Sequence, residues 1–283
     1  MVNAPHIQED FRELVAQAAA VSLERCGQCQ THHMLWPLNR IARVVSAVEG
    51  GREALADAIT RYCKTGRKRI LIAGSSDTGI LCLAANAVRE HGADFVIFDI
   101  CDTPLELCRR FAKRWGLQVA TKVADAAEIE FRNEFDIVIA HSLLQFIPPP
   151  QRVKVFSRFA AALKPDGVAI QVFNAGARIE GALATEHARD YPELVLARFE
   201  QCGIVFPEPR EKLRARLQKQ SLRRRQLEGA VATPEEFDAL MEASGFTILE
   251  RQSIDLDIVE NYGKFLSKLS RRRYLSIARV KSL

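Results

Sequence analysis

No apolar run in this 283-residue chain approaches the roughly 20 positions of a membrane-spanning helix, so no membrane partner is expected. The opening stretch MVNAPHIQEDFREL brings acids early and has neither the basic start nor the apolar centre of a secretion leader. Cysteine is sparse. The seven residues, an odd number, are scattered without the tight spacing of a disulfide framework. Together these absences predict reduced thiols and a cytoplasmic protein. Internal repeats and low-complexity tracts are missing as well. Aromatic residues make up 7% of the chain, and none falls in its most basic stretch. That stretch, Pro207 to Glu228, holds eight Arg or Lys against three Glu, an excess equal to the whole net charge of +5. Without aromatics to stack on bases it makes a poor nucleic-acid surface. It reads as a solvated helix face, or as a cover suited to an anionic small molecule. Self-association into a homo-oligomer is left open.

What is present is ordinary for a globular enzyme: 48% hydrophobic and 27% charged residues. Residues 8–63 carry apolar positions at three- and four-residue spacing and read as helices. Pro37 is expected to break one helix from the next, and Gly50-Gly51 to make a second break. From Arg67 onward short apolar strands alternate with helices. RILIA, DFVIFDI, QVATKVA, FDIVIAHS and VAIQVFN are the strands, and FDIVIAHS is apolar enough to be buried on both faces. The helix TPLELCRRFAKRWG is expected to take Thr103 as N-cap, Pro104 in its first turn and Gly116 past its end. Residues 174–232 interrupt the alternation with Arg-rich helical sequence. TPEEFDALMEASGF then reads as a helix capped by Thr233 and Glu236, followed by the strands TILERQSI and RYLSIARV. The pattern predicts a parallel α/β sheet with helices on both faces.

The loop after the first strand, RILIAGSSDTGIL (Arg69–Leu81), is a G-x-G-x-x-G in which Ser76 replaces the middle glycine. Gly74 permits the turn and Gly79 suits close helix–strand contact. The missing glycine is the one that lets pyrophosphate approach the backbone, so the Cβ of Ser76 would crowd a dinucleotide. A nucleoside without pyrophosphate is not excluded, and neither is a plain glycine turn with no ligand. Asp99 ends the second strand, 20 residues past Gly79, where a carboxylate can accept from ribose hydroxyls. Asp102 is the better candidate for a merely solvated acid.

ILIAGSSDTG, FVIFD, VADAAEIEF, FDIVIAHSLLQFIP, LKPDGVAIQVF, TPEEFDALMEASGFTILE and YLSIARV, in that order, resemble the class I S-adenosylmethionine-dependent methyltransferases. The resemblance covers about residues 67–173 and 232–280. It implies a Rossmann-like sheet of seven strands, mostly parallel, with a final antiparallel strand. Residues 1–65 would form an N-terminal helical cap, and 66–283 the methyltransferase domain with its helical insertion at 174–232. S-adenosylmethionine would be the cofactor and a small molecule the methyl acceptor. By position, Gly74, Ser75 and Gly79 would line the methionine end, Asp99 the ribose, Ile100 the adenine face, and Asp125 with Ala126 the adenine edge. His141 and Ser142 would stand beside the methyl group, with His141 the candidate general base. The loop is one residue longer than usual in the family and poorer in glycine. The acid often found just before it is replaced by Ile72 or Ala73, and Asp77 is a conjectural substitute. Two other readings stay open at this stage: an NAD-linked oxidoreductase, and a non-catalytic scaffold with a degenerate pocket.

Cys26, Cys29, His32 and His33 suggest a metal, but adjacent histidines cannot easily face one tetrahedral ion. No metal site is therefore expected. The segment, with Trp36, is expected to close over the pocket. Cys63, Cys82, Cys101, Cys108 and Cys202 read as ordinary buried thiols.

Overall fold

The computed structural model describes residues 6–45, 47–64, 68–176, 181–226, 231–254 and 272–281. Seven strands form one sheet: β1 (Lys68–Ala73), β2 (Ala93–Asp99), β3 (Gln118–Val123), β4 (Phe135–His141), β5 (Leu163–Ala175), β6 (Phe246–Ile254) and β7 (Arg272–Val280). Their order is β3-β2-β1-β4-β5-β7-β6. The first five are mutually parallel, while β7 runs antiparallel to both β5 and β6. The reversal is made by β7 alone. A second dinucleotide-binding half would have continued the sheet in parallel.

Side chains on successive strand positions point to opposite faces, and this builds two cores. Ile70 and Ile72 join Ile97, Ile139 and Ile277 on one face. Leu71 and Ala73 join Phe98, Val138 and Ala169 on the other. The first face is covered by α3 (Arg52–Cys63), α4 (Gly79–Ala87) and α5 (Asp102–Trp115) through Leu55, Ile59, Leu81, Leu105 and Cys108. The second is covered by α6 (Arg152–Ala162) and α9 (Pro234–Ala243), with Phe173 stacked on Phe237 at 3.7 Å between ring centres. At the start of α9 the Thr233 hydroxyl accepts from the Glu236 N–H at 3.2 Å, and the Glu236 carboxylate from the Ala232 N–H at 2.6 Å.

A third core lies off the sheet. It joins α1 (Phe11–Arg25), α2 (Gln30–Ile41), α7 (Gly181–Gln201) and α8 (Arg210–Gln226) through Val15, Met34, Leu38, Tyr191, Phe199 and Leu217. Thus α1 and α2 pack with the insertion, whereas α3 belongs to the sheet's own core. Among the described residues no helix is long and apolar enough to cross a membrane.

Three local expectations need correction. Pro37 lies inside α2 and does not end it. The backbone hydrogen bond that proline cannot make is offset by burial of α2, in which Pro37, Met34, Leu35 and Leu38 are all buried. The break falls earlier, between Cys26 and Cys29, the caps of α1 and α2. Second, α5 begins two residues early with Cys101 as its N-cap, while Thr103 is fully buried with its hydroxyl 2.9 Å from Cys26 Sγ. Third, Cys202 is exposed.

Candidate cofactor and acceptor site

The carboxyl ends of β1, β2 and β4 converge on the loop before α4. Gly74 turns the chain there in the left-handed region (φ 73°), which favours glycine. A Cβ at this position would stand 2.9 Å from Leu143 Cδ1. The Gly74 N–H donates to the Phe98 carbonyl at 2.9 Å, tying the loop to β2. The next N–H, of Ser75, donates to Asp99 Oδ2 at 3.0 Å, and that of Cys101 donates to Oδ1 at 2.8 Å. Burial pushes the Asp99 carboxyl upward, and these backbone donors counter it. The carboxylate is thus fixed in place at the cavity wall.

Ile100, the next residue, is 73% exposed, an unusual state for a large apolar side chain at a cavity wall. Asp125 is held by its own turn, Oδ1 accepting from the Ala127 N–H at 2.8 Å. At the end of β4, Ser142 takes φ 57°, a costly conformation for a non-glycine residue. Its hydroxyl accepts from Arg273 Nη2 at 3.3 Å, and the same guanidinium donates to the Ala47 carbonyl at 2.7 Å and Asn174 Oδ1 at 3.2 Å. Beside it, burial and the charge of Arg273 drive the His141 pKa well below 6.5. Its Nε2 is buried and has no hydrogen-bond partner among the described residues.

A cavity of about 890 Å³ opens over these strand ends, within the roughly 300–1,000 Å³ usual for small-molecule sites. Gly74, Ser75, Asp99, Ile100, Asp125, Ala126, His141 and Ser142 all line it. The cap supplies the opposite wall with His32, Trp36, Lys219 and Gln220, and Phe146 closes one side. The His32 ring lies 5.3 Å from Trp36 and 5.9 Å from Phe146, with Nε2 3.3 Å from the Ser76 hydroxyl. The segment around Trp36 therefore does close over the pocket. Deeper in the cap, Asn39 Nδ2 donates to Gln220 Oε1 at 2.9 Å, leaving Gln220 Nε2 buried without a described partner.

Gly79 is placed differently from the expectation. It lies behind the loop, where an added Cβ would stand 2.7 Å from Arg40 Nη1 and 2.9 Å from Val48 Cγ1. Asp77 lines the cavity, but Oδ2 accepts from Arg40 Nη1 at 2.8 Å and Oδ1 from the Gly79 N–H at 2.9 Å. Arg40 also meets Glu49 at 2.7 Å and forms a close ion pair with Glu9. Burial opposes the guanidinium charge, yet the three carboxylates outweigh it and hold Arg40 protonated. Sequence reasoning missed this buried network, because a single arginine on an amphipathic helix carries no local signal. It missed Gln220 for a similar reason, since a glutamine in a basic helix looks solvated.

Comparison with known proteins gives the decisive match: residues 70–167 fit the family described as "Methyltransferase domain". This stretch of the chain is a methyltransferase domain. The matched residues run from β1 into β5, and the antiparallel β7 completes the sheet expected of the S-adenosylmethionine-dependent class. No curated protein matches the sequence. Among solved structures, the fold resembles 1,6-didemethyltoxoflavin-N1-methyltransferase of Burkholderia thailandensis, at 16% identity over 99% of this chain and 94% of that one, with TM-score 0.52. It also resembles phosphoethanolamine N-methyltransferase 2 of Haemonchus contortus, at 18% identity over 98% and 61%, with TM-score 0.57. A [4+2]-cyclase shares it too, at 13% identity over 82% and 81%, with TM-score 0.54. At these identities the likeness is one of fold. The strand ends and the segment between β4 and α6 line one side of the cavity, and α2 with α8 lines the other.

Proposed function

We propose that this methyltransferase moves the methyl group of S-adenosylmethionine to an O, N or C atom of a small molecule held beneath the helical cap. The observation that carries the reading is the convergence of Gly74, Ser75, Asp99, Ile100, Asp125 and Ala126 on one cavity with a second, separately built wall. The residues fit the cofactor. Gly74 leaves a cradle that a Cβ would fill, Asp99 is a fixed acceptor for ribose hydroxyls, and Ile100 offers an exposed apolar face to adenine. Asp125, beside Ala126, would accept from the adenine amino group. When bound, S-adenosylmethionine supplies a methyl group already activated by its sulfonium.

The chain's own residues then have to position the acceptor and keep water out, which accounts for much of the acceleration in such a displacement. His141, expected from sequence as a general base, is held neutral by burial and Arg273, and a base with so depressed a pKa is weak. It acts instead as a neutral hydrogen-bonding group beside Ser142 that orients the acceptor. The buried Gln220 amide offers a donor, Lys219 a positive charge, and Trp36 with Phe146 an aromatic slot. These features favour a flat or apolar acceptor bearing a carbonyl or anionic oxygen. Two of the structural neighbours are named as N-methyltransferases of small molecules, which supports that class, and the cyclase makes methyl transfer the point to test. The experiment is incubation of the protein with a small-molecule extract and S-adenosylmethionine deuterated in its methyl group. A deuteromethylated product, absent with the Asp99→Ala variant, supports the reading. Cofactor binding with no labelled product from any extract fraction contradicts it.

A further inference from the structure

We propose that Cys26, Cys29, His33 and Cys101 form a structural zinc site that fastens the helical cap to the cofactor end of the sheet. Their ligand atoms all lie within 4.8 Å of one another. Cys29 Sγ stands 3.4 Å and Cys26 Sγ 3.6 Å from Cys101 Sγ. A tetrahedral ion with zinc–sulfur bonds of about 2.3 Å has ligand–ligand edges of about 3.8 Å, close to this spacing. The sulfurs are far beyond disulfide length, and all are free thiols.

The adjacency of His32 and His33 argued against a metal in the sequence. The structure removes that objection, because the two rings diverge at 78° and His32 turns to Ser76. Cys101 takes the fourth place from 72 residues away along the chain. Ordinary burial does not explain the group. Cys63, Cys82 and Cys108 sit among apolar side chains of the sheet core, whereas these three thiols gather around an imidazole. His33 is 5% exposed, and its Nδ1 has no hydrogen-bond partner among the described residues.

Cys29 and Cys101 are the N-caps of α2 and α5, so two helix N-termini direct their positive ends at the sulfurs. The Thr103 hydroxyl, 2.9 Å from Cys26 Sγ, gives that sulfur a hydrogen-bonding partner in the outer shell. Three sulfurs and one nitrogen select zinc among common divalent ions, and four protein ligands leave no open position for substrate. On binding, the three thiols release three protons and the imidazole binds neutral, leaving a net charge of one negative unit. The ion would join the α1–α2 turn to the residue two positions past Asp99. The site does not depend on the methyl-transfer reading.

The test is metal analysis of the full-length protein, purified without a histidine tag under reducing conditions and dialysed against metal-free buffer. One zinc per chain is expected, with three thiols shielded from a thiol reagent until a chelator is added. Cobalt replacement should give the intense visible bands of a tetrahedral thiolate site. Cys101→Ser should lose most of the zinc while Cys202→Ser keeps it. Should Cys101→Ser fail to fold, the zinc content, thiol shielding and cobalt spectrum of the unmodified protein decide alone. A metal-free protein that takes up neither zinc nor cobalt would overturn the proposal, as would a Cys29–Cys101 disulfide after non-reducing purification.

Discussion

The backbone N–H of Ser75 donates to the carboxylate of Asp99 at 3.0 Å, joining the ends of the first two strands at the cavity wall. Asp99 therefore shapes the loop, and in the proposed reading it also accepts from the ligand. Hydrogen bonds to a charged group contribute roughly 1.5–3 kcal/mol each, and about 1.4 kcal/mol is a tenfold change in affinity. Asp99→Ala should weaken S-adenosylmethionine binding at least ~10-fold by calorimetry. An unchanged dissociation constant would show that the cofactor lies elsewhere.

Gly74→Ala should destabilise the protein by about 1–2 kcal/mol, the cost of a left-handed conformation for a residue with a Cβ. The new methyl would also press on Leu143, 2.9 Å away, and narrow the cradle. Urea unfolding and cofactor titration should show both losses. A variant as stable as the parent would mean that the loop does not hold this turn.

Arg40→Met leaves Glu9, Glu49 and Asp77 around an apolar side chain. Removing one partner of a buried ion pair typically costs ~3–5 kcal/mol. Burial already pushes the Asp77 carboxyl upward, and without the guanidinium it rises further. The deficit should therefore shrink as pH falls and the Asp77 carboxyl protonates. A deficit that grows on acidification would contradict the network.

His141 gives a prediction of opposite sign. Its folded pKa lies well below 6.5, so below that pH the unfolded chain binds a proton that the folded chain does not. Stability is full above the unfolded pKa and falls as pH drops, by up to ~1.4 kcal/mol per pH unit from this residue. Unfolding measured at several pH values should show a shallower decline for His141→Gln than for the parent. Parallel curves would place the histidine in contact with solvent.

Much of this was legible from local pattern. Buried parallel strands such as Phe135–His141 are apolar on both faces and announce themselves, and the spacing from Gly79 singled out Asp99, which lines the cavity. What could not be read was set by distant partners. Gly79 is small because Arg40 packs on it, Pro37 is buried inside a continuous helix, and Thr103 turns to Cys26. The Cys26–Cys29–His33 spacing was visible, but Cys101 joins them only once the β2–α5 loop meets the α1–α2 turn.

The most direct measurement is calorimetric titration of the unmodified protein with S-adenosylmethionine, S-adenosylhomocysteine and NAD. Ser76, the antiparallel β7 and the Asp99 cradle predict saturable binding of both sulfur nucleotides at one site per chain and no binding of NAD. Binding of NAD with neither sulfur nucleotide would contradict the account.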